Sequence, residues 1–406
     1  MNNERRLFIQ MLADHIHGIS TDPAEQEIDW NRFCQYAIDQ SLMGIAYVQM
    51  KNFFQDNPEM SAKVIEKLHE GFLSDLYLYA NRKAEVRVIT QYFKETPIVL
   101  MKGIVVCDYY PVCELRSMGD IDFVIHTNYR QQTDKVMKSE GYRRMIDNHA
   151  VWTYDKQNIE FEIHDHMFYE YLSNDVDYRG YFDQQLWKHI EKCPNFESSN
   201  VFIPDINFHF LYLMAHLAKH ITNKGIGFRS FLDLVFICQK EDGIMDWKWI
   251  CTELEKLKLL DFTKTCFAFC EKWFDVKMPL KSFSIENGFY ETVTDKIFND
   301  GIFGLKNEQN IAARSAKEIK KSKLPYWMIT ACLTWKKLFP SYRDMQLVPW
   351  YKFVDGRPWL MPVAWVYRWF YTGTHKFKSS KDFLLEPFKK RKIIEKREQM
   401  IRDWGL

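Results

Sequence analysis

Two short apolar runs, separated by a stretch rich in turn residues, constrain what this chain can fold into. The first run is Ile98–Met101, which Lys102 and Gly103 follow, and the second occupies residues 120–126 with the sequence DIDFVIH. Short runs that contain β-branched residues and end at glycine or another turn residue are typical of buried strands. The pattern therefore predicts two buried strands of a sheet.

Two aspartates, Asp120 and Asp122, stand at the start of the second predicted strand. Carboxylates cost buried apolar area, so a strand built only for packing has no reason to carry them there. Alternate residues of a strand share one face, which sets the two carboxylates about 7 Å apart and pointing the same way. Convergent carboxylates repel each other unless a cation lies between them, and Mg²⁺ prefers such oxygen ligands. We therefore predict Asp120 and Asp122 as metal ligands.

A further set of carboxylates lies downstream. Residues 150–154 and 159–164 are predicted to form a hairpin, and Glu160, Glu162 and His164 alternate along its second strand, so they share one face. If this strand lies beside the aspartate strand, one glutamate completes a three-carboxylate cluster able to hold two Mg²⁺ ions, as in phosphoryl or nucleotidyl transfer. The competing interpretation is that these carboxylates are exposed and paired with lysine or arginine.

Four residues are predicted to bind nucleotide phosphates: Lys102, Gly103, Arg116 and Ser117. A glycine that follows a strand and opens a helix exposes backbone N–H groups where a phosphate can bind. Lys102 adds charge, and the guanidinium fork of Arg116 suits phosphate oxygens. The alternative is that Gly103 only makes a turn and that the two basic residues balance the aspartates.

His216 and His220 lie four residues apart on a predicted helix, with Leu217 where a zinc protease would carry glutamate. We expect both histidines to be buried and hydrogen-bonded between helices. The alternative is that they line a pocket together with Glu160 and His164.

The chain is predicted to be α+β, with a small mixed twisted sheet flanked by extensive N- and C-terminal helices. The predicted regions are a helical cap (1–95), an α/β core (96–200), a helical domain (201–300), and a linker with a helical, aromatic-rich C-terminal region (301–406). The segment 299–325 is typical of a linker or lid, and Lys389–Arg397 of a basic helix.

Composition excludes some classes of function. The chain has 55 basic and 54 acidic residues, so overall charge does not indicate a protein that coats nucleic acid. Its nine cysteines form no CxxC pair, and no uncharged apolar run approaches the roughly 20 residues of a membrane span. We expect a cytoplasmic protein with reduced thiols and no transmembrane segment.

At the residues discussed above, the chain resembles the uncharacterised nucleotidyltransferase family of bacteria, within the polymerase-β-like nucleotidyltransferase superfamily. The matching segments are Leu100–Gly103, Tyr110-Pro111, Arg116–Asp122, Phe161–His164 and His216–His220, with Arg229 and Asp233. The resemblance implies that Asp120 and Asp122 bind metal, that Glu162 is the third carboxylate, and that Gly103 replaces the glycine of the superfamily's Gly-Ser signature. The serine of that signature is absent, since Ile104 follows Gly103, and Lys102 and Ser117 are expected to compensate.

These observations predict a Mg²⁺-dependent nucleotidyltransferase that moves a nucleoside monophosphate from a nucleoside triphosphate such as ATP to an unidentified hydroxyl acceptor, a small molecule or a protein, with release of pyrophosphate. Asp120, Asp122 and Glu162 are its predicted catalytic residues. One alternative is a non-catalytic module that binds nucleotide or a partner, for example as the antidote half of a toxin pair. Another is a DxD-type glycosyltransferase, which would need a longer parallel nucleotide-binding domain.

Overall fold

The structure is a computed structural model of the 406-residue chain. It describes residues 1–23, 27–57, 62–93, 96–147, 151–168, 172, 176–196, 200–223, 225–302, 328, 335, 338–342, 345, 353–354, 356–375 and 398–406. The chain forms two compact units, Met1–Lys306 with Asp403–Leu406, and Asn307–Arg402. Every predicted site residue lies in the first unit.

Four helices precede the first strand: α1 (Asn3–His17), α2 (Trp30–Asp39), α3 (Met43–Asp56) and α4 (Ala62–Tyr92). Capping residues define where α1 begins and ends and where α2 begins. The Asn2 side chain accepts a hydrogen bond from the Arg5 backbone N–H at 3.1 Å, and α1 ends at Gly18 with φ 69°, a left-handed conformation that glycine adopts without steric cost. The Asp29 side chain caps α2 in the same way.

A seven-stranded sheet forms the centre of the first unit. Its strands are β1 (Ile98–Met101), β2 (Ile121–Ile125), β3 (Arg143–Asp147), β4 (Val151–Lys156), β5 (Ile159–His164), β6 (Ile190–Lys192) and β7 (Val201–Pro204). They lie in the order β3-β4-β5-β2-β1-β7-β6. The pairs β2·β5 and β1·β7 are parallel and the other four are antiparallel. This mixed sheet with flanking helices confirms the predicted α+β class.

Both central strands are buried, as their composition predicts. All residues of β1 and β2 are buried, which requires cover on both faces of the sheet. Ile121, Phe123 and Ile125 of β2 belong to a core cluster with Val86 and Ile89 of α4. Because side chains alternate along a strand, Asp122 points to the opposite face, where the candidate site lies.

The structure differs from the sequence-based expectation at two places. The pattern does not predict β6 or β7, which are only three and four residues long. These strands pair with each other, and β7 also pairs with β1, so their conformation depends on distant partners. The helix that Gly103 is predicted to open is a single α-helical turn, α5 (Gly103–Val106), followed by a 3₁₀ turn at Cys107–Tyr109.

Further helices complete the first unit: α6 (Arg130–Ser139), α7 (Tyr178–Gln185), α8 (Ile206–Asn223), α9 (Phe228–Lys240), α10 (Trp247–Lys256), α11 (Leu260–Phe274) and α12 (Asn287–Asp300). Trp404, close to the end of the chain, packs against Phe269 and Phe289 with ring centroids 4.9 and 5.7 Å away. The last residues thus belong to the core of the first unit.

The second unit contains α13 (Met361–His375), which follows a 3₁₀ turn at Pro358–Leu360. Met345, Val354, Met361 and Ala364 form its small buried cluster. The basic helix predicted at Lys389–Arg397 and most of the linker predicted at 299–325 lie outside the described residues.

Two expectations concern the chain as a whole. No helix among the described residues has the length and apolarity needed to cross a bilayer. The eight cysteines in the same residues are free thiols, as their spacing predicts.

Candidate active site

Three side chains suited to metal binding converge on one face of the sheet. The register of the parallel strands β2 and β5 sets Asp122 opposite Glu162, and His164 follows on the same face of β5. His164 Nε2 lies 3.0 Å from Asp122 Oδ1 and 3.8 Å from Glu162 Oε2. One ligand atom from each residue lies within 4.8 Å of the others. We call these three residues the Asp122 cluster.

Lys102 faces the Asp122 cluster from the end of β1, because Met101 lies opposite Asp122 in the β1·β2 pair. Its Nζ lies 2.5 Å from Asp122 Oδ1, the same atom that His164 contacts. The backbone of Lys102 adopts φ 56° and ψ −131°, and its N–H donates to His209 Nε2 at 3.3 Å. Such a conformation costs a non-glycine residue on the order of 1–3 kcal/mol. This strain indicates that the position of Lys102 is tightly constrained by its surroundings.

Charge and burial shift the pKa values of Asp122 and Glu162 in opposite directions. Burial alone would raise the pKa of Asp122, but the charge of Lys102 and the hydrogen bond from His164 lower it to about 2. For Glu162, burial together with the charge of Asp122 outweighs the opposing charge of Lys102 and raises the pKa to about 7. Asp122 is therefore ionised at neutral pH, whereas Glu162 exchanges its proton readily there.

Asp120 lies just before β2, outside the Asp122 cluster as the described residues define it. The charge of Asp122, and then burial, raise the pKa of Asp120, so the two aspartates interact electrostatically as predicted for convergent carboxylates. The positive charge of Lys102, and to a smaller extent that of Arg229, partly offsets this effect. Glu160 is exposed, whereas Glu162 is half-buried and lies opposite Asp122 in the strand register.

Arg116, predicted to bind phosphate, is engaged with a carboxylate of α9. Its Nε and Nη2 donate to Asp233 Oδ1 and Oδ2 at 2.9 and 2.8 Å. The Tyr110 hydroxyl also donates to Asp233, at 2.7 Å. Because the pair is bidentate and largely buried, it fixes the start of the loop that leads to Asp120. We call residues 116–120 the aspartate loop.

The aspartate loop has further anchors. Arg229 donates to the Ser117 carbonyl at 2.8 Å, and the Ser117 side chain hydrogen-bonds Asp75 of α4. Gly103 lies against the same loop, since a Cβ atom placed on it would come within 2.8 Å of Arg116 Nη1. This close approach explains why glycine suits position 103.

Helix α8 carries a row of polar aromatic residues toward the site. Tyr212 lies within electrostatic reach of Lys102, Asp122 and Glu162. His216 stacks on Tyr212 with ring centroids 5.9 Å apart, and its Nε2 lies 3.2 Å from that of His220. Burial, the neighbouring His220 and then Lys102 lower the pKa of His216. Both histidines are half-buried, so the expected burial is partial, and their contact with each other lies within α8 instead of between helices.

Comparison with known protein families agrees with this geometry. The family described as "Uncharacterised nucleotidyltransferase" matches residues 26–275, more than half of the chain. The chain belongs to this family. The match includes Asp120, the Asp122 cluster, the aspartate loop and the parts of α8 and α9 that contact them. No curated protein and no solved structure matches the chain.

Arg82 is a residue of this family member that the sequence reasoning missed. It is 5% exposed, and its Nε and Nη1 have no hydrogen-bond partner among the described residues. Burial lowers the pKa of Arg82, and the charges of Asp120 and Asp75 oppose that effect. One signal was available, because Arg82 interrupts the apolar side of α4 between Tyr79 and Val86 at helical spacing.

The donor set of this nucleotidyltransferase-family site suits a divalent cation. Two carboxylates and one imidazole offer three ligand atoms within the spacing that a single ion can bridge. Asp120 adds a further carboxylate nearby, and its raised pKa reflects negative charge that a cation would offset. The three residues of the Asp122 cluster can therefore hold a metal ion beside Lys102.

Proposed function

We propose that this protein is a divalent-metal-dependent nucleotidyltransferase that moves a nucleoside monophosphate from a nucleoside triphosphate to a hydroxyl acceptor. The observation that carries the proposal is the register of β2 and β5, which brings Asp122 and Glu162 together beside Asp120 in a chain of this family. In the reaction, the acceptor oxygen forms a bond to the α-phosphorus, the bond from that phosphorus to the bridging oxygen breaks, and pyrophosphate leaves.

The carboxylates bind the metal in this proposal. Asp120, Asp122 and Glu162 bind the cation, for which Mg²⁺ is the first expectation. When bound, the ion offsets the negative charge of the phosphates and favours ionisation of the acceptor hydroxyl. Asp122 is suited to its task because its pKa of about 2 keeps it ionised. Glu162 lies opposite Asp122, where it would hold the same ion and so help to activate the acceptor hydroxyl, whose proton passes to water.

The basic residues bind the phosphates of the nucleotide or position the aspartate loop. Lys102 Nζ lies beside Asp122, where it would contact the phosphates of the nucleotide, and the backbone of Gly103 follows directly. Arg82 adds a buried positive charge near Asp120. Arg116 and Ser117 hold the aspartate loop through Asp233 and Asp75, so in this proposal they act on the phosphates only by positioning that loop.

The test is transfer from each α-labelled nucleoside triphosphate in the presence of Mg²⁺, with a cell lysate as the source of acceptors. We expect labelled product and pyrophosphate from the wild-type protein, and neither from Asp120→Asn or Asp122→Asn. Asp242→Asn, at an exposed turn after α9, is the matched control and should retain transfer. Full transfer by Asp120→Asn would refute the proposal.

One observation favours the alternative of a binding module without turnover. Lys102 already balances the charge of Asp122 at 2.5 Å, as a site that uses no metal would require. Calorimetry with ATP, with and without Mg²⁺, separates the two functions. Binding that is independent of Mg²⁺, without any release of pyrophosphate, would support the binding module.

A further inference from the structure

His164 is the residue of the Asp122 cluster whose chemistry differs from that of the carboxylates. We propose that His164 Nε2 is a direct ligand of the metal, so that the site prefers a first-row transition ion such as Mn²⁺ over Mg²⁺. This inference rests on the proposed function, because it assumes that the site binds a divalent cation. It goes further by naming the nitrogen ligand and the class of ion.

The position of the ring supports a ligand role. His164 is 5% exposed, and its Nε2 is directed between two carboxylates, 3.0 Å from Asp122 Oδ1 and 3.8 Å from Glu162 Oε2. A bound ion lies about 2.0–2.6 Å from its ligand atoms. An ion seated between Asp122 and Glu162 at those distances would also be within reach of Nε2.

A purely structural role explains the ring less well. His164 Nδ1 is buried and has no hydrogen-bond partner among the described residues. An unsatisfied buried nitrogen costs about 1–3 kcal/mol, so packing alone gives no reason to keep histidine at this position. The orientation of the ring brings Nε2 close to the two carboxylates and leaves Nδ1 without a hydrogen bond among the described residues.

The ligand set then predicts the ion. Mg²⁺ takes oxygen ligands almost exclusively, whereas imidazole is a good ligand for first-row transition ions. Asp122, Glu162 and His164 together present two oxygen donors and one nitrogen donor. Replacing His164 should therefore weaken Mn²⁺ binding much more than Mg²⁺ binding.

The direct test is electron spin-echo spectroscopy of the full-length protein loaded with Mn²⁺, which detects nitrogen bound to the ion. We expect a ¹⁴N coupling in the wild-type protein and a change to the ¹⁵N pattern after labelling with ¹⁵N-histidine. The wild-type measurement needs no variant, so it stands even if a substitution at His164 disturbs folding.

Substitutions identify which histidine is bound. His164→Gln should remove the coupling and weaken Mn²⁺ binding on the order of tenfold or more. His189→Gln is the matched control, because His189 also bonds an aspartate, with Nδ1 2.7 Å from Asp205 Oδ2, and should leave the coupling intact. Bound Mn²⁺ without a histidine coupling, or a coupling that persists in His164→Gln, would overturn the inference. In either case, transfer that is lost in Asp120→Asn would still support the proposed function.

Discussion

Replacing Asp233 tests how the aspartate loop is held. The Asp233 carboxylate accepts hydrogen bonds from Arg116 Nε and Nη2 and from the Tyr110 hydroxyl, at 2.9, 2.8 and 2.7 Å. The Arg116 and Asp233 side chains are 8% and 13% exposed, so Asp233→Asn would leave a guanidinium charge without its counterion in a largely buried site. Breaking a buried pair costs about 3–5 kcal/mol. Since asparagine keeps one oxygen acceptor, we expect the free energy of unfolding to fall by about 3 kcal/mol, the lower limit of that range.

The assay is urea unfolding followed by circular dichroism for Asp233→Asn, Arg116→Met and the double variant. Each single change leaves one charge of the pair buried without its partner, whereas the double change removes both. The double variant should therefore lose less stability than the sum of the single losses, by about 2 kcal/mol. Suppose instead that each single variant loses less than about 1 kcal/mol of unfolding free energy and that the two losses add in the double variant. The pair would then behave like an exposed ion pair, and the reasoning would be refuted.

Comparison of the two single variants decides what Arg116 does for the nucleotide. If Arg116 only positions the aspartate loop, Asp233→Asn, which keeps Arg116 but breaks its anchor, should weaken ATP binding about as much as Arg116→Met does. If Arg116 binds phosphate directly, Arg116→Met should weaken ATP binding about tenfold or more beyond Asp233→Asn, because it also removes a charged hydrogen bond worth about 1.5–3 kcal/mol. Calorimetry of ATP binding distinguishes these results.

Two further predictions concern Lys102 and His15. Lys102→Gln should tighten Mn²⁺ binding and weaken ATP binding, because Lys102 Nζ contacts the Asp122 oxygen that a cation needs; unchanged Mn²⁺ affinity in a metal titration would contradict this. Burial lowers the pKa of His15 from 6.5 to about 4. The unfolded chain therefore binds a proton that the folded chain does not, and stability falls as pH drops from about 6.5 toward 4. Between pH 7.5 and pH 5 this amounts to about 2 kcal/mol, and urea unfolding of His15→Gln should lack that part of the pH dependence.

The strands that could be predicted are those whose own residue composition or alternation is typical of a strand. The compositions of residues 98–101 and 121–125 indicate buried strands, and alternation along β5 puts Glu162 and His164 on one face. These features depend on neighbours along the chain, so a short window of sequence contains them. β6 and β7 are too short to carry such a signal, and they form because each finds a partner strand.

The site shows the same division. The residue pattern by itself predicted that carboxylates would gather at one face of a sheet with Lys102 close by. Only the tertiary structure decided that Lys102 bonds Asp122, that Arg116 bonds a carboxylate 117 residues away, that the charge of Arg82 of α4 acts on Asp120, and that the His164 ring contacts Asp122. Alternation specifies the face of the strand to which a side chain points. The residue that this side chain contacts depends on which distant strands and helices pack together. A local sequence pattern contains no information about that packing.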